Sequence, residues 1–204
     1  FHFKIKDKTD KSGTGQLRAI IMDGITRIAK ANFPYGDRYA KSEYQLKRAR
    51  DVKKIEALFS NFNIEIFDNY VENMPAVLFD SIFPFWESFR ALFMSNKFHL
   101  YDQQTFRKID EFVTLWAKSL NHGDIYYKVP HSRFYRLNTH GDIFERPEDE
   151  KEMYVCLKEI LKLKKKCRAL IIYLRERYYD IDFDELSDKA FENNKKYIQE
   201  EPDE

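Results

Sequence analysis

The chain has 204 residues, 35 basic and 34 acidic, so its formal net charge of +1 offers no whole-molecule field to argue for nucleic acid or an anionic surface. That length suits one domain with a proper core and leaves little room for two. Six Gly, six Pro and 16% aromatic residues describe a helix-rich chain with few tight turns and a core built from Phe and Tyr.

The segment 1–15 reads as a flexible arm. Its opening, Phe1 to Lys8, is basic; it reads first as an expression boundary, and it also suits the cytosolic exit of a membrane helix in a longer chain. Ser12-Gly13-Thr14-Gly15 lacks the Lys-Ser/Thr pair of a phosphate loop. Residues 16–198 then read as one helical domain, and 199–204 as an acidic tail. Leu17, Ile20, Ile21, Ile25 and Ile28 predict a core-facing helix from Gln16 to Asn32. Asp37 can cap a third segment running to about Phe62, with Val52, Ile55, Leu58 and Phe59 on its inner side. Its outer side is basic, and Lys47, Arg50 and Lys54 share a face there, the pattern a phosphate-tracking surface would use.

Asn63 to Asn73 is ambiguous between strand and helix and is read as a helical connection. Met74 to Phe93 is apolar all round, which predicts a buried helix that Pro84 should kink, or split near Phe83. Asp102 caps a further helix whose stripe is Phe106, Ile109, Phe112, Val113, Trp116 and Leu120, ended by Gly123. These two form the expected central, aromatic-rich hairpin. Residues 123–146 look β-prone in Ile125–Val129 and Arg133–Leu137, so a small irregular or β-hairpin-like insertion is predicted.

Pro147, followed by Glu148, Asp149 and Glu150, starts the longest helix, which should reach about Tyr178. Met153, Leu157, Ile160, Lys164, Cys167, Ile171, Leu174 and Tyr178 alternate four and three apart along it. That stripe packs on the hairpin, and its end, Ile171, Leu174 and Tyr178, is the candidate surface for self-association or a protein partner. Asp182 or Asp184 caps a short last helix. The fold class is therefore all-α: a multi-helix bundle around the hairpin, carrying the small insertion.

Cys156 and Cys167 lie on the long helix about 16 Å apart, too far to pair. Two lone thiols favour a reducing compartment, hence a cytoplasmic location. No run of about 18 uncharged apolar residues is present, so no membrane span is expected within the chain. His122, Asp124, His140 and Asp142, in two His-Gly-Asp tripeptides, together with His131 offer nitrogen and oxygen ligands to a metal, but at no known metal-site spacing. No metal and no cofactor is assigned on that basis.

Arg133 and His140, with six residues between them, form an Arg-x6-His element. This resembles the Arg-x4-6-His motif of HEPN-type RNases, all-helical proteins in which the pair supports RNA cleavage. The resemblance implies Arg133 and His140 as candidate catalytic residues. The residues themselves favour a non-enzymatic helical interaction or regulatory domain, the cytosolic part of a larger bacterial protein; the alternative is a nucleic-acid-binding domain, extended to a HEPN-like RNase.

Overall fold

A computed structural model describes Ile20, Ile21, Asp23, Gly24, Ser42 to His140, Ile143, Phe144 and Arg146 to Gln199, without the side chains of His140, Tyr197 and Gln199. The arm 1–15, most of the helix expected over 16–32, the Asp37 cap and the tail beyond Gln199 lie outside the described residues. The chain divides into two compact units, Phe1–Leu46 and Lys47–Glu204. In the first, Ile20, Ile21, Asp23 and Gly24 are helical. Ser42 and Gln45 form a reciprocal capping box there: the Gln45 N–H donates to Ser42 Oγ at 3.3 Å, and the Ser42 N–H to Gln45 Oε1 at 3.0 Å. Helix α1, Glu43–Phe59, starts at that box.

In the second unit, Asn63 caps α2, Ile64–Asn73, by accepting from the Ile66 N–H at 2.8 Å. The run Met74 to Phe93 departs from the expected single buried helix. It is not one helix: Val77–Phe79 forms strand β1, and α3 begins only at Ile82 and runs to Phe93. Apolar runs this short carry no period that separates strand from helix, and the strand is selected by its partner across the sheet. Pro84 falls in the first turn of α3, where a backbone N–H has no intrahelical acceptor to lose, so the helix has no need to kink.

Helix α4, Gln103–Ser119, is capped by Asp102, whose Oδ1 accepts from the Gln104 and Thr105 N–H groups. A short 3-10 turn, Gly123–Ile125, leads into β2, Tyr126–Lys128, and β3, Phe134–Leu137. β3 is the middle strand of an antiparallel sheet of order β1-β3-β2, with Leu78 opposite Tyr135 and Tyr127 opposite Arg136. β4, Thr139–His140, and β5, Ile143–Phe144, pair with each other. The insertion is thus a small sheet, with an added strand drawn from before α3.

Helix α5, Pro147–Arg177, is the longest, and α6, Phe183–Gln199, is capped by Asp182, which accepts from the Asp184 and Glu185 N–H groups. α5 packs most extensively along α4. The core between the helices is aromatic: Phe62 meets Phe112 edge-on at 5.7 Å, Phe89 meets Trp116 at 5.8 Å, and Phe93 stacks on Phe106 at 5.6 Å. Such pairs add about 0.5–1.5 kcal/mol each beyond the area they bury. The stripe of α5 faces this core, with Ile160, Cys167, Leu174 and the C-capping Tyr178 all buried. Met153, Leu157 and Ile171 are half-buried and Lys164 is exposed.

Candidate functional site

The two flanks of α5 are fixed by charge. On one, Lys164 pairs with Glu72 of α2 at 3.3 Å; on the other, Lys166 pairs with Glu111 of α4. Nearer the start of α5, the buried His122, just past the end of α4, stands between two carboxylates. Its Nδ1 lies 2.6 Å from Glu152 Oε1 and its Nε2 lies 2.8 Å from Glu159 Oε2. Ionised carboxylates only accept, so both contacts are hydrogen bonds when both ring nitrogens carry a proton. The two acids are seven residues apart and so lie on one side of the helix.

Glu152 and Glu159 are the only acidic residues between Lys151 and Arg175, and the histidine holds both. The outer face of α5 is left strongly cationic. Among the described residues, Lys151, Lys158, Lys162, Lys165 and Arg168 are exposed and make no ion pair. At about 100° per residue the four lysines fall within an arc of about 60°, spread over about 21 Å of helix. Beside them runs a row of apolar side chains turned to solvent: Tyr154, Leu161 and Ile172, with 52%, 59% and 49% of their surface exposed. A surface of this kind can hold an anionic partner electrostatically and cover apolar groups at the same time.

The basic residues expected on α1 divide between two places. Lys47 and Arg50 gather round the Tyr101 ring at 5.8 and 5.9 Å, and Arg50 donates to the Tyr101 hydroxyl at 2.9 Å. Lys54, half-buried one turn further on, takes no part in that cluster. Arg48 instead grips Asp180 with two hydrogen bonds of 2.8 and 2.7 Å and lies over the rings of Tyr178 and Tyr179. Behind it, the buried Asp51 accepts from the N–H groups of Tyr101 and Asp102 at 2.7 and 2.9 Å, and Arg177 and Tyr178 donate to the Asp102 carboxylate. These bonds tie α1, the start of α4 and the end of α5 together.

The remaining candidates do not come together. Arg133 is held by the Asp80 carboxylate at 3.2 Å and by the Ile198 carbonyl at 2.6 Å, near the end of α6. His140 lies on β4 opposite Ile143, and its side chain lies outside the described residues. His131 is exposed in the β2–β3 turn with φ of 53°, and Asp124 is exposed in the 3-10 turn. Asp142 lies outside the described residues. Among the described residues no group of His, Cys, Asp and Glu is placed to hold a metal ion. The His122 trio fits none, because its carboxylates approach opposite ring nitrogens.

Leu174 and Tyr178 are not the surface residues that the stripe predicts. Both are buried inside the domain, so of the expected interaction stripe only Ile171 reaches the surface, and the exposed apolar row lies to one side of it. Glu152 and Glu159 are absent from the sequence-based candidates, although they carry a signal: two acids one heptad apart in an otherwise basic stretch. Both cysteines are buried and free; burial pushes the Cys156 thiol up to about 11 and raises that of Cys167 further. Thiols so placed are not thiolate nucleophiles near neutral pH. No helix among the described residues is long and apolar enough to cross a membrane.

Compared with protein families, with curated proteins and with solved structures, the chain matches none.

Proposed function

We propose that this protein is a non-enzymatic helical interaction domain working through the outer face of α5. One observation carries the reading: five unpaired cations and three exposed apolar side chains share that face, bracketed at its two ends by Glu150 and Glu176, while Glu152 and Glu159 are held by His122. Side chains with no bond inside the domain are the ones free to bond outside it. The two buried free thiols support a cytoplasmic setting. A photo-crosslinking residue in place of Leu161 should form adducts in the cells that make the protein, and one in place of Glu192 on α6 should not. No adduct at Leu161 would refute the reading.

A second reading keeps the face of Lys47 and Arg50, which Tyr101 gathers into one cationic and aromatic cluster suited to a nucleic-acid strand. Neutralising Lys47, Arg50 and Lys54 together should then weaken binding to single-stranded oligonucleotide and flatten its salt dependence. Cleavage by Arg133 has less support, since Asp80 and the Ile198 carbonyl already hold its guanidinium.

A further inference from the structure

Resting on the α5 reading above, we infer that the partner of this face is an anionic lipid surface, against which α5 lies lengthwise. Two features of the face select this class. The lysines answer negative charge: Lys158, Lys162 and Lys165 are exposed and unpaired, with no acidic residue between Glu159 and Glu176 to oppose them. The apolar row answers something else. Tyr154, Leu161 and Ile172 stand about half in water along about 27 Å of helix, directly beside the lysines.

A nucleic-acid backbone would satisfy the cations and leave Leu161 and Ile172 wet. A headgroup layer takes both: lysine stems lie along the interface with their ammonium groups on phosphate and carboxylate, and the apolar side chains enter the acyl boundary. On the flanks, Lys164 and Lys166 pair with the carboxylates of Glu72 and Glu111 that border the face, which leaves Asp68 of α2, lining a groove with Arg168 and Ile172, as an exposed acid on that side. Near an anionic leaflet each lysine is worth about five-fold in binding, so three together are worth about a hundredfold.

The test is co-sedimentation of the full 204-residue chain with vesicles of phosphatidylcholine alone or mixed with phosphatidylserine. Wild type should sediment with the phosphatidylserine vesicles only, and less so as salt rises. The triple variant Lys158→Gln, Lys162→Gln, Lys165→Gln should bind about a hundredfold more weakly. The double variant Leu161→Ser, Ile172→Ser should also bind more weakly, while keeping the wild-type salt dependence. All five positions are exposed, so circular dichroism and the urea midpoint should stay at wild-type values. Absence of binding to phosphatidylserine vesicles at low salt overturns the inference, as does equal binding by the triple variant. Binding to single-stranded oligonucleotide that the Leu161→Ser, Ile172→Ser variant retains in full, without vesicle binding, also overturns it. If vesicles fail and a crosslinker at Leu161 still captures a partner, the lipid assignment falls and the α5 surface stands; if both fail, both fall.

Discussion

His122 Nε2 and Glu159 Oε2 lie 2.8 Å apart, joining the residue just beyond α4 to the middle of α5. With the matching bond to Glu152, this pairing docks the first turns of the long helix and holds Glu152 and Glu159 away from the outer face. His122→Ala removes a buried side chain and releases both acids. We expect a loss of about 1–3 kcal/mol from the unpaired groups, read as a lower urea midpoint. An unchanged midpoint would show that the two bonds contribute nothing.

Asp51 makes a second structural bond to α4. Its two carboxylate oxygens accept from consecutive N–H groups, those of Tyr101 and Asp102, in a buried site. Asparagine has one acceptor oxygen and would turn an NH2 toward the other N–H. Asp51→Asn should therefore cost about 1–3 kcal/mol in urea unfolding.

Asp102 and Asp180, two of the three carboxylates held below their usual range among the described residues, contribute to the acid limb of stability. Hydrogen bonds from Arg48 hold the Asp180 carboxyl below its usual value, against the effect of partial burial. Burial pushes the Asp102 carboxyl up, but the Arg177 bond and the Thr105 backbone N–H outweigh it and the net shift is downward. A carboxyl whose folded pKa lies below the unfolded value of 3.8 contributes its stability above that value and loses it as pH falls through the folded pKa. The urea midpoint should thus drop as pH is lowered through this range, and less steeply in Asp180→Asn. Equal slopes for the two proteins would contradict the Arg48–Asp180 assignment.

The two sides of α5 should respond oppositely to substitution. Leu174→Ala opens a cavity in the core and should cost about 2–5 kcal/mol. Ile172→Ala, half in water, should change stability by no more than about 0.5 kcal/mol. Equal losses at the two positions would mean that the helix is rotated from the orientation described.

The cysteines provide a further check on burial. Cys156 and Cys167 should react slowly with a thiol reagent in the native protein and rapidly in urea. Fast native labelling would place one of them at the surface.

Most of the helices are legible in the sequence because their signals are local: the Asp102 cap, the Pro147 start followed by three acids, the 3.6-residue stripe from Phe106 to Trp116. Strand β1 is not, because Val77–Phe79 sits in a short apolar run and becomes a strand only through β3, more than fifty residues on. Distance in sequence explains the site as well. His122 stands out as a ligand-bearing residue, but its partners lie 30 and 37 residues away on another helix, and a metal is the nearer interpretation from sequence. The stripe of α5 is plainly apolar, yet whether a stripe faces a core or a partner depends on how much of the domain lies against it. Here the domain buries Leu174 and Tyr178, and the surface row of Tyr154, Leu161 and Ile172 is hidden among the lysines of the sequence.

The central claim, that the outer face of α5 meets a partner, is tested most directly by the acylation of individual lysines in the purified protein and in the cells that make it. Lys158, Lys162 and Lys165 should lose reactivity in the cell, while the exposed Lys128 on β2 and Lys189 on α6 keep theirs. Unchanged labelling at the three α5 lysines, or protection confined to Lys47 and Lys54, would contradict it.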